Sequence, residues 1–285
     1  MSEFEDRYWT SEDGLRLHLR DYPGADERPP VLCLPGLTRN ARDFEGLAPR
    51  LAGRRRVLCP NLRGRGDSDY AREPMSYGPR TYLGDVEALF EQFGISRCVV
   101  IGTSLGGFLA MLLAGRAPQR IAGAVINDIG PEIAEEGLAR IRGYVGQGRS
   151  FETWMHAARA LQDVNGGVFP DFEIADWLVM AKRGMTLGSN GRIVFDYDMK
   201  IAEPFARDAG SGGSDMWPLW RALDGRPVLV VRGELSDILD PGVAARMIEA
   251  IPGAELATVP RVGHAPTLDE PEAVAAIERL LDRVA

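Results

Sequence analysis

A serine lies between two glycines in the segment Gly-Thr-Ser-Leu-Gly at residues 102–106, a spacing typical of hydrolytic nucleophiles. The segment follows the apolar run of residues 97–101 and precedes the apolar stretch of residues 107–114, so Ser104 lies at a strand-to-helix junction. In such a turn the serine takes a strained backbone conformation, and the glycines leave room for neighbouring chain where a Cβ would clash. We therefore predict that Ser104 is a nucleophile whose Oγ is lifted clear of the sheet.

Other functions of a glycine-rich turn fit this segment poorly. A phosphate-binding P-loop ends in Gly-Lys-Ser or Gly-Lys-Thr, whereas Gly106 is followed by Gly107 and Phe108. The dinucleotide-binding pattern requires a second glycine two residues after the first, whereas Gly102 is followed by Thr-Ser. A purely structural tight turn is the remaining alternative to a nucleophile.

His264 is the histidine best placed to act as a base for this serine. A serine hydroxyl is a poor nucleophile at neutral pH, so it needs a base within hydrogen-bond distance and an acid that orients the base. His264 follows the alternating, strand-like residues 255–259 and precedes the last predicted helix, which places it on the same edge of the sheet as Ser104. His18 belongs to an opening hairpin and His156 to an insertion, positions more typical of surface or pocket-lining histidines.

The acid is sought among carboxylates that follow buried strands. Asp237 comes just after one such strand, and we predict that it orients His264. Asp128 ends the preceding strand and is the first alternative, while Asp240 and Glu234 are further ones. Asp240 is the better candidate to cap the helix that follows it, which favours Asp237 as the acid.

Attack on a carbonyl creates an oxyanion, which rigid backbone N–H groups can bind. The turn itself presents the N–H of Leu105. A second donor is expected from the loop after the first parallel strand, where Gly36 lets the chain turn and Leu37 offers its N–H. We predict that Leu37 and Leu105 form the oxyanion hole.

Short, continuous apolar runs indicate strands that are covered on both faces, as in a parallel sheet. Such runs occupy residues 30–34, 56–60, 98–101, 122–126 and 227–231. Stretches with helical spacing occupy residues 42–51, 81–93, 105–116, 242–251 and 271–284. Two alternating segments, residues 8–10 and 15–19, indicate an opening β-hairpin. The pattern predicts an α/β fold with a mostly parallel, doubly wound sheet and an N-terminal β-hairpin.

The alternation stops between residues 131 and 215, where several helices but no strong strand are expected. We predict that residues 131–215 form a helical cap, or lid, on a core made of residues 1–130 and 216–285. The Gly/Ser-rich residues 209–214 indicate a hinge or flexible connector.

The lid is rich in large apolar side chains, some of which must face a cavity, so a small, largely apolar acyl substrate is expected. Arg39 and Asn40 lie beside the predicted oxyanion loop and are candidates to hold a carboxylate or keto group. An arginine at such a position is more often a solvated surface residue.

The 285 residues are 45% hydrophobic and 26% charged, which suits one large globular domain with an appended subdomain. The net charge of −8 argues against nucleic acid or an anionic membrane as a partner. Neither a membrane span nor a leader segment is apparent, so we expect a cytoplasmic protein, a monomer or homodimer, whose partner is a small-molecule substrate.

The three cysteines lie in apolar runs and are expected to be reduced core residues. They are Cys33, Cys59 and Cys98. The three histidines do not form a metal-binding pattern, so we expect neither a metal nor a cofactor.

With these motifs in place, the chain resembles the α/β-hydrolase family over nearly its whole length. The matching motifs are Pro35-Gly36 after the third strand, residues 61–68 after the fourth, residues 102–106, Asp237 and Gly263-His264. The order Ser, Asp, His is that of the family. In relatives the loop after the third strand often begins with histidine, where this chain has Leu34-Pro35.

The resemblance implies a serine hydrolase that cleaves a small, largely apolar carboxylic ester or lactone through an acyl-enzyme. Relatives with this layout include hydrolases that cleave C–C bonds of ring-cleavage products, and cofactor-free perhydrolases or haloperoxidases. Relatives with an aspartate nucleophile are disfavoured by Ser104. In a different class, some relatives bind a ligand in the pocket without catalysis.

Overall fold

The central sheet is built from strands whose side chains alternate between two buried cores. The computed structural model describes residues 4–207 and 215–284, and within them the larger sheet has eight strands in the order β1-β2-β4-β3-β5-β6-β10-β11. The strands are β1 (Glu5–Thr10), β2 (Arg16–Tyr22), β3 (Val31–Leu34), β4 (Val57–Pro60), β5 (Cys98–Thr103), β6 (Ile121–Asn127), β7 (Ser150–Phe151), β8 (Met185–Leu187), β9 (Ile193–Phe195), β10 (Val228–Gly233) and β11 (Glu255–Val259).

Helices cover both faces of this sheet. The α-helices are α1 (Ala48–Leu51), α2 (Pro79–Gln92), α3 (Leu105–Arg116), α4 (Glu135–Arg142), α5 (Trp154–Asn165), α6 (Ile174–Gly184), α7 (Ala202–Arg207), α8 (Trp217–Arg221), α9 (Pro241–Ala250) and α10 (Pro271–Asp282). Short 3-10 helices span Ala41–Phe44, Pro74–Ser76, Pro118–Arg120 and Met199–Ile201.

Alternate residues of the parallel strands enter different cores, which explains their continuous apolar runs. One core packs against α2, α3, α8 and α9 and receives Leu32, Val100, Ala124 and Val230. The other packs against α1 and α10 and receives Val31, Val99, Val125 and Val231. The predicted α/β sheet with both faces covered is confirmed.

Strand register aligns the carboxyl ends that carry the site. Strands β4, β3, β5, β6, β10 and β11 run parallel, while β1 and β2 form the predicted antiparallel hairpin at one edge. Asn127 at the end of β6 lies opposite both Thr103 and Val231. The residues that follow β5, β6 and β10 therefore meet at one edge of the sheet.

The segment between β6 and α8, called the cap below, lies over this edge and contains more than helices. It carries α4 to α7 and, in addition, an antiparallel sheet of three strands in the order β7-β9-β8. The sequence analysis did not predict this small sheet, because strands of two or three residues are too short for a periodic signal. The Gly/Ser-rich residues 209–214, predicted as a connector, lie outside the described residues.

The single helix predicted for residues 42–51 is wrong. The chain forms instead a 3-10 helix at Ala41–Phe44 and a separate short helix, α1. Pro49 lies in the first turn of α1, where a proline is tolerated, whereas inside one continuous helix its ring would clash with the preceding turn. In the described part of the chain, no helix combines the length and apolar character needed to cross a bilayer.

Candidate active site

Ser104 occupies a strained turn between β5 and α3. Its backbone angles are φ 52° and ψ −113°, a conformation that residues with a side chain rarely adopt. A Cβ at Gly106 would lie 2.0 Å from the Leu34 carbonyl oxygen, and one at Gly102 would lie 2.3 Å from the backbone of Gly106. The glycines are therefore required for the close approach of strand, turn and helix, as the sequence predicted.

A chain of hydrogen bonds connects Ser104 to a buried carboxylate through His264. The loop after β11 carries His264, whose Nε2 lies 3.0 Å from the Oγ of Ser104. Its Nδ1 lies 2.8 Å from Oδ2 of Asp128, the residue that directly follows β6. An ionised carboxylate can only accept hydrogen bonds, so Nδ1 then carries the proton and Nε2 is free to accept from the hydroxyl.

Asp128 is held in place by three donors. The N–H of Gly233 donates to Oδ1 at 2.9 Å, while the Ser236 hydroxyl donates to Oδ2 at 2.6 Å and shares that oxygen with His264. Asp128 has no exposed surface, and a buried carboxylate needs such partners. Its backbone has φ 56°, a left-handed conformation that aspartate tolerates better than most residues.

The prediction that Asp237 contacts His264 is wrong, because the structure places Asp128 against the imidazole instead. Asp237 lies against Arg140 of α4, which donates hydrogen bonds of 2.5 and 2.9 Å to its two carboxylate oxygens. The hydrogen bond from Arg140 outweighs burial and lowers the pKa of Asp237. Its neighbour Ser236, which the sequence analysis did not single out, faces Asp128 instead. The turn after β10 thus directs these two residues to different partners.

The other carboxylates considered have separate roles. Asp240 accepts from the N–H groups of Gly242 and Val243 and caps α9, as predicted. Glu234 accepts a hydrogen bond of 2.7 Å from the N–H of Arg261.

The remaining histidines also lie in other surroundings. His18 is buried between Asp6 and Asn61, at 2.8 Å from each. His156 lies in the first turn of α5, where its N–H donates to the Thr153 hydroxyl.

Asn127 ties the serine turn to the histidine loop, a role the sequence analysis missed. Its amide nitrogen donates to the Thr103 hydroxyl at 3.0 Å and to the carbonyl of Pro266 at 2.8 Å. Its backbone carbonyl accepts from the N–H of Ser104 at 2.9 Å. The signal in the sequence was a polar residue at the end of an apolar run. The structure shows that this residue is fully buried, where its polar atoms need partners.

The two predicted oxyanion donors both belong to segments beside Ser104. Leu105 is the first residue of α3, where backbone N–H groups have no intrahelical acceptor. Leu37 lines the cavity above the serine, and a Cβ on the adjacent Gly36 would lie 3.9 Å from the Cβ of Ser104. The carbonyl of Leu37 accepts two hydrogen bonds from Arg65.

A cavity of about 760 Å³ opens over Ser104 and His264, with the cap forming most of its apolar wall. The apolar lining includes Leu161, Phe169, Phe172, Met180, Phe195 and Tyr197. Two other large cap residues, Trp177 and Met185, are buried among other side chains and do not line the cavity. A cavity of this size and lining suits a small organic molecule.

Arg39 brings a charge into the cavity wall. Its Nε and Nη2 donate to the carboxylate of Asp43 at 2.5 to 3.0 Å. Burial works against the charged form, but the charge and hydrogen bonds of Asp43 outweigh it and raise the pKa of Arg39. Asn40 is instead completely buried, where it caps a 3-10 helix and donates to the carbonyl of Arg183.

The described residues contain no cluster of three or more His, Cys, Asp or Glu side chains able to hold a metal ion. Each of the three cysteines is buried as a free thiol. Burial raises the pKa of Cys98 to about 12.

Comparison with known proteins shows the family of the chain. A family model described as "Alpha/beta hydrolase family" matches residues 31–277, a range that includes Ser104, Asp128 and His264. The chain belongs to this family.

Several known proteins are similar to this α/β hydrolase over most of their length. The crystal structure of an alpha/beta hydrolase from Novosphingobium aromaticivorans has 68% sequence identity and a TM-score of 0.96, with 100% of both chains covered. The 3-hydroxybutyrate-oligomer hydrolase of Cupriavidus necator is 33% identical over 252 residues, which cover 86% of this chain and 85% of the relative. The 2-(acetamidomethylene)succinate hydrolase of Mesorhizobium japonicum is 25% identical over 236 residues, 83% of this chain and 81% of the relative.

Proposed function

We propose that this α/β hydrolase cleaves a small carboxylic ester or lactone through an acyl-enzyme formed on Ser104. The observation that supports the proposal is the continuous chain Ser104, His264 and Asp128, with contacts of 3.0 and 2.8 Å. Nucleophile, base and orienting acid in this arrangement are the parts that acyl transfer to serine requires.

In the acylation step, Oγ of Ser104 attacks the substrate carbonyl while its proton passes to Nε2 of His264. Asp128 stabilises the imidazolium that forms, and the N–H groups of Leu37 and Leu105 bind the oxyanion. The imidazolium then protonates the leaving alcohol, and the C–O bond of the ester breaks. Water attacks the resulting acyl-serine by the same route, with His264 as base, and releases the carboxylic acid.

The cavity and one relative support an oligoester of a short hydroxy acid as the first substrate to test. The wall above Ser104 is largely apolar, which suits a short alkyl chain. The relative from Cupriavidus necator is named for hydrolysis of 3-hydroxybutyrate oligomers, whose units are joined by esters. Such an oligomer ends in a carboxylate, and Arg39 can pair with it through Nη1, the guanidinium nitrogen that its contact with Asp43 does not use.

Labelling with a fluorophosphonate tests the proposal directly. We expect one covalent adduct on Ser104 in the wild type and none in Ser104→Ala, because the reagent needs an activated serine. The wild type is then assayed with p-nitrophenyl esters, lactones, the 3-hydroxybutyrate dimer and a 2-hydroxy-6-oxodienoate. A folded wild type that is not labelled would support a ligand receptor instead, and a preference for the dienoate would support C–C bond hydrolysis.

A further inference from the structure

Arg65 is completely buried in the loop after β4, yet each of its hydrogen bonds goes to a neutral oxygen. Its Nε and Nη2 donate to the Leu37 carbonyl at 3.0 and 2.7 Å. Its Nη1 donates to the Arg63 carbonyl at 2.7 Å and to the Tyr82 hydroxyl at 2.9 Å. Among residues 4–207 and 215–284, no carboxylate lies within ion-pair distance of Arg65. A buried cation normally has such a partner, because removing its charge from water is costly.

Arg63, two residues earlier in the same loop, shows the usual arrangement. Its guanidinium is equally buried, but Asp85 accepts from it at 2.6 and 2.7 Å and Asp13 accepts at 2.8 Å. Arg65 is surrounded instead by its neutral acceptors and by the rings of Tyr82 and Tyr77, whose centroids lie 4.8 and 5.9 Å from its guanidinium carbon. The loop therefore buries one arginine in direct contact with two carboxylates and one arginine whose direct contacts are all neutral, on which the Asp85 charge acts only through space.

The Arg65 guanidinium lies directly behind the loop that borders the serine. Leu37 faces the cavity, while Arg65 has no exposed surface and holds the Leu37 carbonyl from within the protein. Both hydrogen bonds restrict the rotation of the Leu37–Thr38 peptide, which directly follows the Leu37 N–H, and so hold the loop that carries this donor. A fixed positive charge near the site of a developing oxyanion also stabilises that anion in a low-dielectric interior.

The loop after β4, which carries Arg65, is also anchored to the cap. The N–H of Gly66 donates to the carbonyl of Asp196, and the N–H of Asp198 donates to the carbonyl of Gly64 at 2.8 Å. Tyr77 strengthens this anchor through its hydroxyl, which donates to the Asp198 carboxylate at 2.6 Å. Arg65 thus connects the oxyanion loop to the cap segment that forms part of the cavity wall.

We propose that Arg65 is a positioning residue for the oxyanion hole: it orders the Leu37 loop and supplies positive potential behind it. The inference rests on the proposed serine mechanism. It implies that Arg65 affects the transition state, in which the oxyanion exists, more than substrate binding.

Arg65→Lys and Arg65→Met test this role, with Arg63→Lys as the matched control. Loss of a whole oxyanion donor lowers kcat about 100- to 1,000-fold, so a misplaced donor is expected to lower it about 10- to 100-fold. We expect this loss in Arg65→Met with KM changed less than about twofold, and a partial recovery in Arg65→Lys, which keeps the charge. Affinity for a boronic acid, which forms a tetrahedral adduct with serine, should weaken in parallel with kcat.

Arg63→Lys changes the other buried arginine of the loop, whose side chain contacts Asp13 and Asp85 and not Leu37. It is expected to lower the melting temperature while kcat stays within about twofold of the wild type. An equal fall of kcat in Arg63→Lys, a change in KM alone, or an unchanged kcat in either folded Arg65 variant would overturn the inference. If Arg65→Met fails to fold, Arg65→Lys alone decides by the same criteria. Failure of wild-type labelling at Ser104 would instead overturn the proposed function.

Discussion

The hydroxyl of Ser236 donates a 2.6 Å hydrogen bond to Oδ2 of Asp128, the same carboxylate oxygen that faces Nδ1 of His264. The Ser236 oxygen is itself held, because it accepts from the N–H groups of Ile238 and Leu239. The turn after β10 therefore orients the carboxylate through a serine, while the next residue, Asp237, points to the cap.

Removal of the Ser236 hydroxyl should weaken catalysis without weakening substrate binding. A hydrogen bond to a charged group contributes about 1.5 to 3 kcal/mol, so we expect Ser236→Ala to lower kcat at least about tenfold with little change in KM. Steady-state kinetics on a p-nitrophenyl ester measure this. Ser76→Ala is the control, since its hydroxyl donates to the Glu73 carbonyl away from the cavity. Unchanged kcat in Ser236→Ala would show that Gly233 and His264 hold Asp128 without it.

The corrected acid can be tested by comparing two amide substitutions. Asp128→Asn removes the charge that stabilises the imidazolium and is expected to lower kcat by about 10,000-fold. Asp237→Asn weakens a partly exposed ion pair with Arg140 and should leave kcat within a few-fold, at a cost of at most about 1 kcal/mol in stability. Kinetics and urea unfolding of both variants give the answer. A larger loss of kcat in Asp237→Asn than in Asp128→Asn would instead support Asp237 as the acid that orients His264.

Arg39 should distinguish a substrate that ends in a carboxylate from one that does not. We expect Arg39→Gln to raise KM for the 3-hydroxybutyrate dimer about tenfold, because a charge-assisted hydrogen bond is lost. KM for the methyl ester of the same dimer should stay within about twofold. Arg50→Gln serves as the control because Arg50 is exposed and its Nε donates to the Gly46 carbonyl. An equal rise of KM for the dimer and its methyl ester would show that Arg39 supports the cavity wall and does not bind the carboxylate.

Two glycine-to-alanine substitutions should change stability in opposite directions. Gly106→Ala places a Cβ 2.0 Å from the Leu34 carbonyl oxygen and is expected to prevent correct folding of the serine turn. A Cβ at Gly84, within α2, meets nothing within 4 Å, so Gly84→Ala should raise the free energy of unfolding by about 0.5 to 1 kcal/mol. Thermal unfolding and fluorophosphonate labelling measure both effects. A folded, fully labelled Gly106→Ala protein would contradict the close approach of strand and helix.

Acid should weaken the protein partly through Asp13. Hydrogen bonds from Arg63 lower its pKa from 3.8 to about 2, so the folded chain keeps the carboxylate ionised in acid that protonates the unfolded chain. The stability contributed by this ion pair is present above about pH 4 and is lost as the pH falls towards about 2. Since Asp13 is half exposed, we expect a loss of about 1 kcal/mol.

Urea unfolding at pH 5 and pH 2.5 measures this loss in the wild type and in Asp13→Asn. The free energy of unfolding should fall by about 1 kcal/mol less in the variant than in the wild type. Asp163→Asn, at an exposed position on α5, should behave like the wild type. Identical pH dependence in all three proteins would rule out a contribution from Asp13.

The main sheet could be predicted from the sequence because strands buried on both faces must be apolar at every position. The predicted runs lie within β3, β4, β5, β6 and β10 or extend them by one residue. The small cap sheet could not be predicted, since β7, β8 and β9 are only two or three residues long and β7 pairs with the distant β9. Short strands acquire their structure from their partners rather than from a local pattern.

Local sequence also determined where Ser104 lies, because two glycines at a strand-to-helix junction permit one strained turn. The choice of acid was decided only by the tertiary structure. Asp128 and Asp237 both follow parallel strands at the same edge, so spacing along the chain does not separate them. Arg140, distant in sequence, neutralises Asp237, while Gly233, Ser236 and His264 converge on Asp128. The partner of each carboxylate depends on which donors compensate its charge, and these donors are side chains and N–H groups that only folding brings together.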